Sequence, residues 1–438
     1  MSTVSFPPPL RGTVQVPGDK SLSHRAVLFA SMAEGRSHLV GVLASEDVRS
    51  TIRVCRALGA HIEADDESGE DFGSLSVLGW GERGPHEPAG PLDCGNSGTT
   101  ARLLMGVLAG WPIDATLIGD ASLSKRPMAR VVDPLEAMGA LFKTTPHGTL
   151  PVTVRGSSDL IPAHYASPVA SAQVKTAVLL AGLRASGPTS VSEPYPSRDH
   201  TERLLPAFGV LPDLDPVHGV TVYGPTHLYG TELAVPGDPS SAAFLVVAAL
   251  LIPGSEITLS HVSLNPTRIG FLRVIERMGA DVSFDESESA GLEPVGSICA
   301  AYSPVMSGTT VTAAEVPSLI DEIPILALAA ACASGTTRFE GVGELRVKES
   351  DRLSAIADGL EALGVVVRAG ADWLEVDGTR ELSGATLHSL GDHRLAMTWA
   401  VAAQIAQGET EVSNMDAMAV SYPGFLRDLR KLMNRGTP

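Results

Sequence analysis

The stretch Val16-Pro17-Gly18-Asp19-Lys20-Ser21-Leu22-Ser23-His24-Arg25 joins the end of a predicted strand to the start of a predicted helix. A Pro-Gly pair breaks the strand, and Asp19 or Ser21 can cap a helix that we expect to run from Lys20 to about residue 33. The helix body is apolar on most sides, so we expect it to be buried. Its first turn nevertheless carries two cations and two hydroxyls, at a position where free backbone N–H groups already favour anions. The stretch predicts a phosphate or carboxylate site; the competing interpretation is a solvated, capped helix start.

The same arrangement recurs along the chain. Pro236-Gly237-Asp238 repeats Pro17-Gly18-Asp19 about half of the 438-residue chain later, and an apolar helix follows each copy. Apolar helices with polar first turns are predicted to start near residues 21, 97, 171, 240, 321 and 392. We therefore predict an α/β protein of six βαβαββ units, three in each of two domains. The expected domains are 1–17 with 239–438, and 18–238, with crossovers near 17–20 and 235–239.

A second marker follows the same repeat. Five glycines each end an amphipathic helix and precede a strand, namely Gly59, Gly139, Gly209, Gly279 and Gly364. A glycine just past a helix end commonly adopts positive φ, which other residues rarely tolerate. The spacing of these glycines supports the predicted repeat.

Composition limits the function classes. The formal charge of −18, from 32 basic and 50 acidic residues, argues against general nucleic-acid binding, which needs a basic surface. An anionic substrate would have to be attracted by a local cluster of cations. The longest apolar runs are too short to span a bilayer, and residues 1–10 lack the features of a secretory signal. The four cysteines lack paired metal-ligand spacing, so we expect a cytoplasmic protein without a metal.

Charged residues in the second half mark candidate chemistry. Asp321 and Glu322 open a very apolar helix; one can be a cap, and the second indicates a base or a hydroxyl-binding group. Further along, Lys348 and Arg352 are four residues apart and would share one face of a helix, with Glu349 beside them. The competing interpretation is an exposed, salt-bridged turn. The fourth repeat, whose first helix is predicted to start near residue 240, is the most apolar at its helix start, and we expect it to be structural.

Four motifs in this order resemble the 5-enolpyruvylshikimate-3-phosphate synthase (3-phosphoshikimate 1-carboxyvinyltransferase) family. They are Pro17–Arg25, Gly95–Thr99, Arg346–Arg352 and Gly391–Arg394, and the resemblance covers nearly the whole chain. It implies an inside-out α/β barrel of the enolpyruvyl transferase type, with the active site in the cleft between its two domains. It also implies transfer of the enolpyruvyl group of phosphoenolpyruvate to the 5-hydroxyl of shikimate 3-phosphate, in chorismate and aromatic amino-acid biosynthesis. No cofactor is implied, the partners are the two small substrates, and we expect a monomer.

The resemblance also implies roles for individual residues. Asp321 would accept the 5-hydroxyl proton, Glu349 would give and later remove a proton at the methylene carbon, and Lys20 would stabilise charge on the bridging oxygen. The implied ligands of shikimate 3-phosphate are Lys20, Ser21, Arg25, Ser171, Gln173, Ser197, Asp321 and Lys348. The implied ligands of phosphoenolpyruvate are Lys20, Gly98, Arg126, Gln173, Arg352 and Arg394. The chain departs from the best-known pattern of the family at Ala172, His200, Glu344 and Val420.

Two other functions remain open from the sequence. UDP-N-acetylglucosamine enolpyruvyltransferase shares the fold, but its members usually carry a reactive cysteine in the loop that here spans 119–128, and this loop has none. A ring-shaped DNA clamp is also built from repeats, but it needs basic helices facing its hole. Here the predicted helix bodies are apolar and the net charge is −18.

Overall fold

The computed structural model describes residues 7–66, 72–216, 219–290, 293–379 and 381–434, without the side chains of 287, 288, 290 and 434. The chain forms two compact units. The N-terminal unit consists of Gly18–Val235 with Ala290–Glu293. The C-terminal unit consists of Met1–Pro17, Pro236–Ser289 and Pro294–Pro438.

The N-terminal unit contains three four-stranded sheets, ordered β13-β2-β4-β3, β5-β6-β8-β7 and β11-β12-β10-β9. Each sheet combines one parallel strand pair with two antiparallel pairs. The strands are β2 (Arg36–Val40), β3 (His61–Ala64), β4 (Ser74–Leu78), β5 (Leu92–Asp93), β6 (Asp114–Ile118), β7 (Leu141–Lys143), β8 (Val152–Arg155), β9 (His164–Ala166), β10 (Pro188–Ser192), β11 (Asp213–Asp215), β12 (Gly219–Tyr223) and β13 (Glu232–Ala234). The helices are α1 (Lys20–Met32), α2 (Glu46–Ala57), α3 (Gly98–Ala109), α4 (Ala129–Ala137), α5 (Ala172–Gly182) and α6 (His200–Leu204).

The C-terminal unit contains the sheets β1-β14-β16-β15, β17-β18-β20-β19 and β21-β22. The sixth predicted βαβαββ unit is therefore incomplete: within the described residues its sheet has two strands, and β22 is followed by a 3-10 turn at Met415–Val420 and a final helix. The strands are β1 (Arg11–Val14), β14 (Glu256–Ser263), β15 (Asp281–Ala290), β16 (Glu293–Ala301), β17 (Thr310–Val311), β18 (Thr336–Glu340), β19 (Val366–Ala369), β20 (Trp373–Asp377), β21 (Thr386–His388) and β22 (Glu411–Ser413). The helices are α7 (Pro239–Leu251), α8 (Gly270–Arg277), α9 (Ile323–Ala331), α10 (Arg352–Ala362), α11 (His393–Ile405) and α12 (Phe425–Asn434).

The two units exchange the strands that precede their first helices. Strand β1 directly precedes α1 in the sequence, yet it pairs in parallel with β14 of the C-terminal unit, with Arg11 opposite Glu256. Strand β13, which directly precedes α7, pairs in parallel with β2 of the N-terminal unit, with Glu232 opposite His38. The first and fourth βαβαββ repeats are therefore complete in space, although the first strand of each comes from a distant part of the chain.

The cores are built around helices that are apolar on nearly all sides. In α7 every residue except Leu251 is buried, and all of α9 is buried, as the composition of these helices predicts. Close packing of the helices requires small residues. A β-carbon at Gly106 of α3 would lie 2.2 Å from the carbonyl oxygen of Ala177 in α5, so this contact tolerates glycine alone.

The helix ends follow the predicted glycine pattern. Gly59, Gly139, Gly209, Gly279 and Gly364 have φ values of 102°, 105°, 87°, 86° and 87°. These values confirm the expected left-handed position at the helix end. In the part of the chain that the structure describes, no helix combines the length and apolar character needed to cross a membrane.

Candidate functional site

Side-chain caps define most of the helix starts that the sequence singled out. Asp19 is the cap of α1 and accepts a hydrogen bond of 2.8 Å from the N–H of Leu22. Helices α3, α5, α7 and α11 are likewise capped, by Ser97, Ser171, Asp238 and Asp392. Helix α9 has no side-chain cap. The two carboxylates before it, Asp321 and Glu322, therefore make other contacts.

The first turn of α1 presents the predicted cation. The Lys20 ammonium lies 3.3 Å from Oδ2 of Asp47, in the first turn of α2, and the Lys20 side chain is 15% exposed. Ser21 is half-buried beside it. Lys20 thus has one acidic neighbour that sequence analysis missed, because the pair is formed between two helices.

Arg25 is buried and held in place by groups of three helices. Its Nε donates to the Thr201 hydroxyl at 2.9 Å, its Nη2 to the Thr176 hydroxyl at 2.9 Å, and its Nη1 to the carbonyl of Ser21 at 3.0 Å. These contacts fix the direction of the guanidinium group. Arg25 was predicted from its place in the first motif, but its hydroxyl partners give no signal in the sequence.

A chain of hydroxyl groups connects α1, α2 and α3. His24 Nδ1 lies 2.7 Å from the Thr51 hydroxyl, which lies 2.7 Å from the Thr100 hydroxyl, and Thr100 donates to Ser97 at 2.7 Å. Burial and the charges of Lys20 and Arg25 lower the pKa of His24 to about 3, so its ring is neutral near pH 7. The chain ties the start of α3, which includes Gly98, to the helix that carries Lys20.

Three predicted phosphoenolpyruvate ligands lie together at the start of α3. A β-carbon at Gly98 would lie 3.0 Å from Nη1 of Arg102 and 3.5 Å from Nη1 of Arg126. Arg102 donates to the Gln173 side-chain oxygen at 2.7 Å, and Gln173 donates to the Thr99 hydroxyl at 2.9 Å. Arg102, which sequence analysis did not single out, therefore lies close to Gly98, Arg126 and Gln173.

The remaining predicted residues of the N-terminal unit meet at a buried carboxylate. Glu193 accepts from the N–H of Ser171 at 2.7 Å and from the hydroxyl of Ser197 at 2.7 Å. Glu193 is paired with Lys175 at 3.0 Å, and Lys175 with Glu202 at 2.7 Å. Burial opposes the charge of Lys175, but Glu202 and Glu193 outweigh it and raise the pKa of Lys175 above its ordinary value. Structure alone reveals this triad, because its members are distant in sequence.

In the C-terminal unit, three cations surround Asp321. The distances from its carboxylate are 3.2 Å to Arg352 Nη1, 3.6 Å to Arg394 Nη2 and 3.8 Å to Lys348 Nζ. The predicted helical face shared by Lys348 and Arg352 is wrong. Asp351 caps α10, which begins only at Arg352, and Lys348 lies in extended backbone. Both cations nevertheless approach the same carboxylate.

Arg352 joins the acidic residues of this cluster. It is 1% exposed, and it donates to Asp392 at 2.7 Å and to Glu349 at 2.5 Å. Burial alone would lower the pKa of Arg352. The negative charges of Asp392, Glu349 and Asp321 outweigh this effect and raise the pKa. The Glu349 side chain is 23% exposed, so solvent and small molecules can reach it. Asp392 escaped sequence analysis, because its capping position gave no hint of an ion pair.

Comparisons with known proteins identify the relatives of this chain. The family model of EPSP synthase (3-phosphoshikimate 1-carboxyvinyltransferase) matches residues 4–429. A 3-phosphoshikimate 1-carboxyvinyltransferase from Xanthomonas campestris pv. campestris (strain B100) is 50% identical over 95% of this chain and 93% of its own. One from Halorhodospira halophila is 48% identical over 97% of this chain and 94% of its own.

Solved structures extend the comparison to the fold. The EPSP synthase of Acinetobacter baumannii superposes with a TM-score of 0.85 at 40% identity, over 99% of this chain and 97% of its own. The enolpyruvyl transferase NikO from Streptomyces tendae has a TM-score of 0.77 at 20% identity, over 98% of this chain and 96% of its own, and shares the fold. The predicted two-domain α/β fold is confirmed, and the chain belongs to the EPSP synthase (3-phosphoshikimate 1-carboxyvinyltransferase) family.

Proposed function

We propose that this protein transfers the enolpyruvyl group of phosphoenolpyruvate to the 5-hydroxyl of shikimate 3-phosphate, releasing phosphate. The observation that carries the proposal is the acid–base pair Asp321 and Glu349 within a group of cations. Arg352 contacts both carboxylates, at 3.2 Å and 2.5 Å. Such a group suits two substrates that each carry phosphate and carboxylate, because fixed cations offset the repulsion between them. We further propose that the protein acts in the cytoplasm as a monomer and supplies aromatic amino-acid biosynthesis.

The proposed reaction proceeds by addition and then elimination. Asp321 accepts the proton of the 5-hydroxyl as its oxygen bonds to the central carbon of phosphoenolpyruvate, and Glu349 gives a proton to the methylene carbon. In the resulting tetrahedral intermediate that carbon carries both oxygens. Glu349 then removes a proton from the new methyl group, the double bond forms again, and the carbon–oxygen bond to phosphate breaks. Lys20 stabilises negative charge on the bridging oxygen.

The proposed ligands are the residues that the family resemblance implies. For shikimate 3-phosphate we propose Lys20, Ser21, Arg25, Ser171, Gln173, Ser197, Asp321 and Lys348. For phosphoenolpyruvate we propose Lys20, Gly98, Arg126, Gln173, Arg352 and Arg394. The buried hydrogen bonds of Arg25 and the ion pairs of Arg352 support these assignments, since they hold cations in fixed directions before a substrate binds.

Phosphate release tests the proposal. We expect the purified protein to release phosphate from phosphoenolpyruvate when shikimate 3-phosphate is present, and not when it is omitted. UDP-N-acetylglucosamine is the matched alternative acceptor, and retention on double-stranded DNA at low salt tests the clamp. Release that depends on the nucleotide sugar, or none with either acceptor, would contradict the proposal.

We predict that glyphosate competes with phosphoenolpyruvate and that Gly98→Ala selectively weakens the inhibitor. The added methyl group would press on Arg102 Nη1 at 3.0 Å and would be in van der Waals contact with Arg126 Nη1 at 3.5 Å. Such overpacking costs about 1–3 kcal/mol, or roughly 5- to 150-fold in affinity. Glyphosate is longer than phosphoenolpyruvate, so we expect its inhibition constant to rise more than the KM of the substrate.

Steady-state kinetics with both ligands check this prediction. Gly90→Ala is the matched control, because a β-carbon there meets no atom within 4 Å. Equal increases in the inhibition constant and the KM, or no change in either, would show that Gly98 does not face the pocket shared by the two ligands.

A further inference from the structure

A chain of buried polar contacts in the C-terminal unit connects the fourth repeat to Arg394. Arg268 donates from Nη2 to the Asp238 carboxylate at 2.9 Å and to the Ser240 hydroxyl at 2.9 Å. Ser240 donates to Oε1 of Glu322 in a very short hydrogen bond. The same oxygen of Glu322 lies 3.5 Å from Nη1 of Arg394. The fourth repeat was expected to be structural, yet its polar side chains are connected to this arginine through Glu322.

The direction of every hydrogen bond in this chain is fixed by chemistry. An arginine can only donate and a charged carboxylate can only accept, so the Ser240 hydroxyl accepts from Arg268 and donates to Glu322. Ser240, Arg268 and Glu322 are 3%, 2% and 1% exposed, which keeps water from competing for these bonds. In such surroundings polar contacts are strong and each one restricts the next. Glu322 therefore has a fixed position and a fixed orientation.

Glu322 supplies a contact to Arg394 that the proposed reaction leaves unchanged. Within the described residues, the other side-chain contacts of Arg394 go to Asp321, from Nη1 to its carbonyl at 3.2 Å and from Nη2 to its carboxylate at 3.6 Å. Asp321 is the proposed base, so its carboxylate loses its negative charge when it takes the hydroxyl proton. At that moment the attraction between the Asp321 side chain and Arg394 falls. Glu322 takes no part in the proton transfer and keeps its charge.

We infer that Glu322 is a positioning residue for phosphoenolpyruvate, acting through Arg394 and held in place by Ser240 and Arg268. The inference rests on the proposed function, because it takes Arg394 as a ligand of phosphoenolpyruvate. It assigns to the fourth repeat a part in substrate binding. It also gives the two adjacent acids different roles: Asp321 takes part in the proton transfer, and Glu322 orients the guanidinium group of Arg394.

The test compares the KM values of the two substrates in the Glu322→Gln variant. The amide keeps the shape of the side chain and can still accept from Ser240, but it loses the charge that attracts Arg394. Because hydrogen bonds and close contacts to charged groups are stronger than neutral ones, we expect the KM for phosphoenolpyruvate to rise about 10-fold. The KM for shikimate 3-phosphate is expected to stay within about 2-fold of wild type, since that substrate does not bind Arg394.

Asp428→Asn is the matched control. Asp428 is a buried carboxylate of the same unit, 5% exposed, and accepts from the Tyr422 hydroxyl at 3.0 Å and from Arg427 Nε at 3.1 Å. We expect Asp428→Asn to lower thermal stability without changing either KM. A second variant, Ser240→Ala, keeps the charge of Glu322 but removes the bond that orients it, and we expect a smaller rise in the KM for phosphoenolpyruvate. Ser240→Ala also decides the question when Glu322→Gln does not fold.

The outcomes separate the possible failures. Equal KM values for phosphoenolpyruvate in Glu322→Gln and Asp428→Asn, or equal rises for both substrates in Glu322→Gln, would overturn the positioning role and leave the proposed function intact. An unchanged KM for phosphoenolpyruvate in Ser240→Ala would likewise contradict the part assigned to the fourth repeat. Wild-type protein that releases no phosphate in the presence of shikimate 3-phosphate would overturn the proposed function itself, and the inference with it.

Discussion

Glu349→Gln is expected to lower kcat by about 10²–10⁴-fold, the usual contribution of a general acid–base group. The amide keeps the shape of the side chain but cannot give a proton to the methylene carbon or remove one from the methyl group. Binding is expected to change much less than kcat. Arg352 loses one acidic partner at 2.5 Å but keeps Asp392 at 2.7 Å and Asp321 at 3.2 Å, so its position is retained.

Single-turnover and steady-state rates of phosphate release measure this effect, together with the KM of each substrate. Glu361→Gln is the control, because Glu361 is an exposed carboxylate on α10, the helix that begins three residues after Glu349. A kcat within a few-fold of wild type for Glu349→Gln would show that the proton at the methylene carbon is moved by another group. A large rise in both KM values at unchanged kcat would instead assign Glu349 to binding.

The fold could be predicted from the sequence because local signals recur. Gly59 and Gly364 end amphipathic helices in different units, and their φ values of 102° and 87° are the values that only glycine adopts without strain. Likewise the repeated Pro-Gly-Asp motifs begin α1 and α7 with capping aspartates. Such signals depend on a few neighbouring residues, and these are visible in one sequence.

Long-range pairing could not be predicted in the same way. Strand β1 lies next to α1 in the sequence, but its hydrogen-bond partner is β14. No local sequence pattern indicates which sheet a strand joins. The ion pair of Arg352 with Asp392 is of the same kind. Its partners are far apart in the chain, and burial, which makes the pair important, is decided by packing.

At the candidate site, one prediction made from sequence spacing is wrong. Spacing placed Lys348 and Arg352 on one helical face, but the Asp351 carboxylate accepts from the N–H of Ser354 at 3.1 Å and starts the helix after Lys348. The residue types were nevertheless informative, because Lys348 and Arg352 both approach Asp321. The sequence therefore indicates which charges belong to the site better than it indicates the backbone that carries them.

Lys20→Met is expected to reduce kcat by about 10²–10³-fold, the typical loss when one group that stabilises developing negative charge is removed. It is also expected to raise the KM of both substrates, because one ammonium group is proposed to contact both. Methionine keeps most of the length and the apolar stem of lysine, so the packing of α1 is preserved. The Lys20 side chain is 15% exposed beside Asp47, which leaves it accessible to a ligand.

Two control variants distinguish the effect of the Lys20 charge from the effects of its acidic neighbour and of net charge. Asp47→Asn removes the carboxylate at 3.3 Å but leaves the ammonium group, so we expect a much smaller loss of kcat than in Lys20→Met. Lys125→Met removes an exposed lysine of the same unit and controls for the change in net charge. Similar losses in Lys20→Met and Asp47→Asn would indicate that the ion pair orders α1 and α2, and that its effect on the reaction is indirect. A loss confined to Lys20→Met is the result required of a cation that contacts the bridging oxygen, because such a cation acts through its own charge and not through its acidic neighbour.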